Sequence, residues 1–356
     1  MNNKIKKIIK KGQEINFHRI SNSIARSELK KIESNKKYKL PSKLKNKIDK
    51  YAKDVLGSKK YAPWLYVYTA YNEEFKEGWI PDNYYGWEML SRINKNFREI
   101  SSIKTISKRI LNTELLPDKF YLIDNIIYDN NYKKIKNQDA FKEIFSEDKE
   151  LFLKKNDSSQ SKGILKLNKS NFNIENLLNY GNAVIQKSIK QHKWFNTIIT
   201  GSVTTLRITT IKGVQGRIEL VGSYLRIARK KAEYIDPVDI FKIAVVDKFG
   251  TINDFAIDPD WKLFYKHPET NFLFKNQIIP YYELAVDKCI KIHENLPQVG
   301  IIGWDVAINE EGETEIMEWN AGHPDIKFIE ASIGPCFTRF KWDEIHKTKV
   351  KFNKLM

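Results

Sequence analysis

A strand–turn–strand segment near the C-terminal end of the sequence constrains the fold more than any other feature. Residues 299–308 and 313–319 are rich in apolar side chains, and Asn-Glu-Glu-Gly at 309–312 is a turn that joins them as an antiparallel hairpin. Other short apolar or alternating runs predict two further strand-rich blocks, with helices between them. The order of these elements predicts an α+β fold with two mostly antiparallel sheets.

Composition divides the chain of 356 residues into four stretches. Residues 1–60 are basic and predict helices, and residues 61–112 form an aromatic-rich segment expected to pack on the core. Residues 113–188 predict a small strand-rich lobe, and residues 189–356 predict a larger one that contains the hairpin. The chain is long enough to bury a core without disulfides, and its 41% hydrophobic content excludes a disordered protein. No apolar run approaches the length of a membrane-spanning helix.

The hairpin carries the strongest chemical signal. Glu318 and Asn320 lie two residues apart on one strand and so share a face, and the turn allows Asp305 to lie near Glu318 across the pair. Two carboxylates and an amide oxygen suit a hard cation such as Mg²⁺ or Mn²⁺, completed by phosphate oxygens. On spacing alone, an ordinary polar outer face is the alternative.

Positive charge is concentrated at the N-terminal end. Residues 1–50 contribute +12 of the net charge of +17. Such a segment suits an anionic phospholipid surface or an acidic polymer, and nucleic acid less, because no DNA-binding motif accompanies it. Ile5, Ile8 and Ile9 have helical spacing and would suit a membrane-surface helix, although a solvated lysine-rich helix is the alternative. Only two cysteines and the lack of a signal-peptide pattern favour a reducing, cytoplasmic location.

A lysine followed by a loop of small polar residues forms a second signal. Lys154 ends an apolar run, and Ser158, Ser161 and Gly163 lie in the loop that follows. Small residues let backbone N–H groups close on phosphate oxygens, and the lysine supplies a positive charge. The spacing differs from that of a P-loop, and a flexible Ser-rich hairpin turn is the alternative.

Two further strand signals suit a nucleotide and its phosphates. The apolar residues 183–185 lead into Gln186 and Lys187, where a strand end could read an adenine edge, although any buried strand has this pattern. Arg207 and Arg226 lie on successive strands, and two inward guanidinium groups require an anion such as a phosphate or a carboxylate. Two surface salt bridges are the alternative for the arginines.

In chain order these signals resemble the ATP-grasp superfamily, and within it the sugar-transfer-associated ATP-grasp family, which includes teichuronopeptide-biosynthesis-like proteins. Residues 158–162, Ser-Ser-Gln-Ser-Lys, depart from the several glycines that the family usually carries there. The residues that carry the resemblance are Trp79-Ile80-Pro81-Asp82, Arg92-Ile93-Asn94, Lys104, Lys154, Gln186-Lys187, Ser202-Val203-Thr204-Thr205-Leu206-Arg207, Tyr224-Leu225-Arg226, His267-Pro268, Gly303-Trp304-Asp305 and Glu318-Trp319-Asn320.

The resemblance implies an ATP-grasp fold, in which two α+β lobes enclose ATP, preceded here by a helical N-terminal region. It implies ATP and Mg²⁺ as cofactors, with Mn²⁺ as a possible substitute. It also implies roles for individual residues. The residues expected to bind the nucleotide are Lys104, Lys154, Ser158, Ser161, Gly163, Gln186 and Lys187. The expected metal ligands are Asp305, Glu318 and Asn320, and the expected catalytic residues are Arg207, Arg226 and His267.

The function implied is an ATP-dependent carboxylate–amine ligase that works through an acyl phosphate. The expected partners are an amino acid and a uronic acid or amino sugar, in the biosynthesis of capsule or other cell-surface polysaccharide. Two alternatives are a sugar kinase-like phosphotransferase and a non-catalytic module that binds polyanions or glycans. The basic segment at residues 1–50 would allow peripheral contact with the inner face of the membrane or with an acidic polysaccharide. Substitution of Asp305 by Asn or of Glu318 by Gln is expected to abolish turnover without unfolding the protein.

Overall fold

A computed structural model of the chain describes residues 3–158, 163–232, 239–340 and 342. The chain divides into two compact units. The first comprises the described residues within 1–95, 257–263 and 325–356, and the second comprises those within 96–256 and 264–324.

Helices occur along the whole described chain, and every strand of the described residues lies between residues 118 and 320. The α-helices are α1 Asn3–Lys36, α2 Ser42–Asp54, α3 Ala62–Asn72, α4 Asp82–Tyr84, α5 Leu90–Ile93, α6 Ser107–Leu111, α7 Ala140–Ile144, α8 Ile174–Leu178, α9 Lys193–Ile198, α10 Tyr282–Glu294 and α11 Lys327–Ser332. Short 3₁₀ segments span Lys59–Tyr61, Lys95–Ser102, Lys104–Ile106, Val214–Gly216 and Thr338–Phe340, and a π-helical turn spans Tyr85–Met89. The strands are β1 Asp118–Ile123, β2 Ile126–Asp129, β3 Lys134–Ile135, β4 Glu150–Lys155, β5 Ile164–Asn168, β6 Ala183–Lys187, β7 Thr205–Lys212, β8 Ile218–Ala228, β9 Ile240–Ala244, β10 Ala256–Ile257, β11 Leu263–Phe264, β12 Ile301–Ile308 and β13 Thr314–Asn320.

The first unit is built around α3. Its sequence, Ala-Pro-Trp-Leu-Tyr-Val-Tyr-Thr-Ala-Tyr-Asn, has almost no polar face, because α1, α2 and α11 all pack against it. Trp64 and Tyr68 are fully buried, and the Trp64 Nε1–H donates to Ser21 Oγ at 2.9 Å. A buried indole needs such a partner for its N–H.

The second unit contains two sheets, apart from Ile257 of β10 and Leu263 of β11, and neighbouring strands are antiparallel in every pair with a defined register. The six-stranded sheet has the order β3-β2-β1-β6-β4-β5, and the seven-stranded sheet has the order β11-β10-β9-β8-β7-β12-β13. The predicted α+β fold with two mostly antiparallel sheets is therefore confirmed.

The two faces of β7 differ in chemistry. Leu206 and Ile208 join α10 residues such as Ala285 in the main hydrophobic core of this unit. Side chains alternate along the strand, so Thr205 and Arg207 lie on the opposite face. One face of the seven-stranded sheet thus supports the core, and the other presents polar side chains.

The helices of the described chain include none that is both long and apolar enough to cross a membrane.

Candidate active site

The polar face of the seven-stranded sheet collects side chains from four adjacent strands. In the register, Arg207 lies opposite Asp305, and Asp305 lies opposite Glu318. Gly303 lies opposite Asn320 in the same pair of strands. A Cβ atom at Gly303 would come within 3.2 Å of Arg207 Nη1 and 2.9 Å of Pro324 Cβ, so glycine leaves room for the arginine. The carboxylates and the amide that the hairpin pattern predicted to share a face do so.

Asp305 is held by two guanidinium groups. Arg207 Nε donates to Asp305 Oδ1 at 2.6 Å and Nη2 to Oδ2 at 2.9 Å, whereas Arg226 Nη1 lies 3.0 Å from both oxygens. Burial of Asp305 opposes its ionisation, but the positive charges of Arg207 and Arg226 outweigh it and hold the pKa of the carboxyl well below its usual range. In this structure the anion between the two guanidinium groups is therefore a side chain of the same sheet, and both arginines form salt bridges with it.

Glu318 and Asn320 complete this end of β13. Glu318 Oε1 lies 3.3 Å from Lys104 Nζ, and the Glu318 side chain is 42% exposed, so it can reach a ligand. Asn320 Oδ1 accepts hydrogen bonds from the N–H groups of Gly322 and His323 at 2.8 and 3.1 Å. These bonds fix the amide side chain beside the two carboxylates.

Two lysines lie near Glu318: Lys154 on β4 of the six-stranded sheet, and Lys104 in the 3₁₀ segment before α6. Lys104 Nζ donates to the Ser158 carbonyl at 2.9 Å, which ties the start of the loop after β4 to the Glu318 side chain. Desolvation lowers the pKa of Lys154, and the nearby charges of Glu318 and Asp118 only partly offset this effect. In the described part of the chain, no hydrogen bond or ion pair satisfies the Lys154 ammonium, so an incoming anion would relieve the cost of its burial.

The end of β6 lies between β1 and β4. Gln186 Nε2 donates to Asp118 Oδ1 at 2.8 Å, and Lys187 N–H donates to the Pro117 carbonyl at 2.9 Å. Gln186 is only 4% exposed, and its Oε1 atom has no hydrogen-bond partner among the described residues. A buried acceptor of this kind marks a place where a donor such as an exocyclic amine would be stabilised.

A pocket of about 420 Å³ opens beside Lys104 and the end of β13. Its walls combine cationic, acidic and hydroxyl side chains. The lining residues are Arg98, Glu99, Ser101, Ser102, Lys104, Asp157, Ser158, Glu318, Trp319, Asn320 and Gly322.

The loop after β4 contains the small residues that the sequence assigned to phosphate binding. Ser158 lines the pocket, whereas Ser161 lies outside the described residues. Gly163 has a φ of +73°, and a Cβ there would lie 3.2 Å from that of Ser158, so the turn requires glycine.

His267 is not brought to the pocket. It is completely buried, with Nε2 3.0 Å from the Ala228 carbonyl and Nδ1 accepting from the Glu269 N–H at 3.3 Å. Both ring nitrogens therefore contact the backbone, which corrects the expectation of a histidine that faces the substrate. The loop motif His-Pro could not reveal this, because burial depends on β8 and β9 packing over the ring.

Sequence reasoning missed Asp118 and Glu315. Asp118 bonds both Gln186 and the Tyr121 hydroxyl, and Glu315 Oε1 lies 3.0 Å from Lys187 Nζ. The sequence shows only one acidic residue near the start of each strand, and such a residue by itself predicts an exposed strand end.

The profile of the sugar-transfer associated ATP-grasp family matches residues 144–339, just over half of the chain. The chain belongs to the sugar-transfer associated ATP-grasp family. The predicted family and the predicted ATP-grasp fold are thereby confirmed. No curated protein was found to be similar in sequence.

Several solved structures resemble this ATP-grasp chain at low sequence identity. The ATP-grasp ligase PsnB with its minimal precursor is 12% identical, with a TM-score of 0.42 over 72% of this chain and 64% of its own. The N5-carboxyaminoimidazole ribonucleotide synthetase of Thermotoga maritima is 15% identical, with a TM-score of 0.38 over 70% and 50%. The D-alanyl-alanine synthetase A of Vibrio cholerae is 13% identical, with a TM-score of 0.41 over 70% and 65%. The chain thus spans about half to two-thirds of the length of these proteins.

The donor set suits Mg²⁺ only together with phosphate oxygens. Among the residues that the structure describes, no group of three or more His, Cys, Asp or Glu side chains could hold a metal ion. Asp305, Glu318 and Asn320 supply two carboxylates and one amide, and Mg²⁺ is commonly bound by one or two carboxylates plus substrate phosphates. Gln186 Oε1 has no hydrogen-bond partner among the described residues, and burial disfavours the charge of Lys154, so a bound ligand would stabilise both groups.

Proposed function

We propose that this ATP-grasp protein is an ATP-dependent ligase that joins a carboxylate to an amine through an acyl phosphate. One observation carries the proposal. Two carboxylates, Asp305 and Glu318, lie close to four cationic side chains, those of Arg207, Arg226, Lys104 and Lys154. Cationic side chains beside oxygen ligands suit an ATP polyphosphate with its metal.

The proposed reaction has two balanced steps. A carboxylate oxygen takes the terminal phosphoryl group of ATP, so that the bond to ADP breaks and an acyl phosphate forms. The amine nitrogen then attacks the acyl carbon, phosphate leaves with its bonding electrons, and the amine gives up a proton. Both reactants must be held side by side and away from water, because water would hydrolyse the acyl phosphate.

Individual residues have distinct proposed roles in this reaction. Lys154 and Lys104 neutralise phosphate oxygens, and Arg207 stabilises the phosphoryl group in transfer. Arg226 orients the acceptor carboxylate, for which its guanidinium is geometrically suited. Bound at Asp305 and its two neighbours on the face, Mg²⁺ would neutralise the phosphates.

Arg207 and Arg226 would need other partners once Asp305 binds a metal. Both guanidinium groups contact Asp305, the same carboxylate that is proposed to ligate the metal. Asp305 would hold the metal, and Arg207 and Arg226 would then be available to phosphoryl and carboxylate oxygens. The clamp would therefore keep Asp305 ionised and in place before the nucleotide arrives.

The proposed substrates are an amino acid and a uronic acid or amino sugar used in cell-surface polysaccharide biosynthesis. The family description, sugar-transfer associated, supports a sugar-bearing partner. We further propose a cytoplasmic location, where ATP is abundant and where the unpaired Cys289 and Cys336 would stay reduced.

ADP release measured across a matrix of uronates, amino sugars and amino acids tests this function. We expect ADP to form only with a matched carboxylate and amine, and the product mass to equal the two substrates less one water. The Glu318→Gln variant should give no ADP above background. A product heavier by a phosphate group would instead establish a phosphotransferase. Failure to bind an Mg²⁺–ATP analogue, both alone and with the sugar substrates present, would favour a non-catalytic module.

A further inference from the structure

The long helix α1 has one buried apolar stripe and a separate set of exposed isoleucines on its other side. One face packs within the first unit. It is formed by His18, Ser21, Ala25, Leu29 and Ile32, which are all at most 9% exposed. Their spacing of three and four residues is that of a single helical stripe.

The other face carries isoleucines that contact little of the described protein. These are Ile5, Ile8, Ile9, Ile15, Ile20 and Ile24, with exposed fractions of 45–71%. Spacings of 4 residues from Ile5 to Ile9, 7 from Ile8 to Ile15 and 11 from Ile9 to Ile20 are close to whole helical turns. We call this set the isoleucine face. Six exposed isoleucines on one side of one helix are more than the scattered single apolar residues of an ordinary surface.

Lysines lie on the other side of the same helical turns. Lys7, Lys10 and Lys11 are exposed, and residues 1–13 contain five lysines and no Asp or Glu. Along these turns the helix has one apolar half and one cationic half, the arrangement of helices that lie in a membrane interface. Lysine stems can reach phosphate groups while isoleucines enter the acyl boundary.

We propose that the isoleucine face of α1 binds the surface of an anionic phospholipid bilayer. Two features favour a bilayer over the other partners. An acidic polysaccharide would satisfy the lysines but leave the isoleucines in water. A second copy of the chain could cover the isoleucines, but would bring two lysine-rich segments together, which is electrostatically unfavourable.

Sedimentation of the full chain with vesicles tests the proposal directly. The probe is phosphatidylcholine vesicles with roughly one-third phosphatidylglycerol, compared with pure phosphatidylcholine vesicles. We expect binding to the anionic vesicles only, and weaker binding as the NaCl concentration rises from about 0.1 M to about 0.5 M.

The variant that tests the apolar contribution is the triple substitution Ile5→Ser, Ile8→Ser and Ile9→Ser. These side chains are exposed, so folding should be unaffected, and the vesicle partition coefficient should fall at least about ten-fold. The matched control is Leu273→Ser with Ile278→Ser, two exposed apolar residues elsewhere in the chain, which should bind vesicles as the wild type does.

Three outcomes would overturn the proposal. One is a lack of binding to anionic vesicles, and the second is equal binding by the triple variant and the wild type. The third is a wild-type dimer in light scattering that the triple variant converts to a monomer, since this would assign the face to a second copy. ADP release is independent of this test, because the three isoleucines lie outside the proposed active site.

Discussion

Lys187 and Glu315 join the two sheets of the second unit. Lys187 Nζ at the end of β6 lies 3.0 Å from Glu315 Oε1 on β13, and Glu315 is only 8% exposed. The adjacent chain reinforces this link, because Gln191 forms an isolated antiparallel bridge with Asn309 in the hairpin turn. The strand end proposed for adenine is therefore fastened to the hairpin proposed for the metal.

Substitution of Glu315 by Gln should weaken nucleotide binding without unfolding the protein. The amide cannot hold the Lys187 ammonium as firmly, so we expect affinity for a non-hydrolysable ATP analogue to fall about ten-fold in calorimetric titration. Glu310→Gln is the matched control, because its ion pair with Lys190 at 3.6 Å joins two exposed side chains. Equal affinities in wild type and Glu315→Gln would remove any role for this link in binding.

Asp305 and Glu318 should differ in what their loss does to stability. Glu318 is 42% exposed, so Glu318→Gln should change the free energy of unfolding by at most about 0.5 kcal/mol while reducing ADP release at least about a hundred-fold. Asp305→Asn should also abolish turnover, but should cost about 3–5 kcal/mol, because Arg207 and Arg226 lose their buried anion. This revises the expectation from sequence that neither change would affect folding.

Urea unfolding of the two variants and the wild type measures this difference. Asp305→Asn with wild-type stability would show that the arginines find other partners at no cost. Glu318→Gln with wild-type ADP release would refute the metal assignment at that position.

Lys154 should contribute to binding at the expense of stability. Desolvation lowers the pKa of its ammonium, so Lys154→Met should leave the unfolding free energy unchanged or raise it. The same change should weaken binding of an Mg²⁺–ATP analogue at least about ten-fold, since a charge facing the phosphates is lost. Lys155→Met removes the exposed neighbour and should leave affinity unchanged. A destabilised Lys154→Met variant with wild-type affinity would indicate a purely structural lysine.

Glu330 should make the stability of the protein depend on pH. Burial raises the pKa of this carboxyl to about 7, although its oxygens accept the N–H groups of Ile80 and Cys336 at 2.9 and 2.8 Å. Between the ordinary carboxyl pKa and about 7, the folded protein binds a proton that the unfolded chain has released. Stability should therefore fall as pH rises through this window, by at most about 1.4 kcal/mol per pH unit.

The comparison of wild type with Glu330→Gln isolates this effect from other titrating groups. We expect the wild type to lose about 2–3 kcal/mol relative to the variant between about pH 5 and about pH 7.5. Glu77→Gln, at an exposed position, should show no such relative change. A constant difference between wild type and Glu330→Gln across this range would contradict the raised pKa.

Local pattern was sufficient for the features that depend on neighbouring residues. The hairpin, and with it the shared face of Glu318 and Asn320, follows from strand periodicity and a four-residue turn. The α+β class follows from the same periodicities. The lysine and the small polar loop after it indicated the role of Lys154, whereas the role of Lys104 came from the family resemblance alone.

The tertiary structure decided the features that depend on distant segments. Arg207 was predicted to need an anion, but only the return of β12 beside β7 makes Asp305 that anion. Lys187 and Glu315 are separated by 128 positions, so no local rule could pair them. The His-Pro motif likewise did not predict that His267 is buried. Strand periodicity in the sequence predicts on which face of a sheet a side chain lies. Its neighbour on the adjacent strand depends on strand order and register, and these are determined by nonlocal packing.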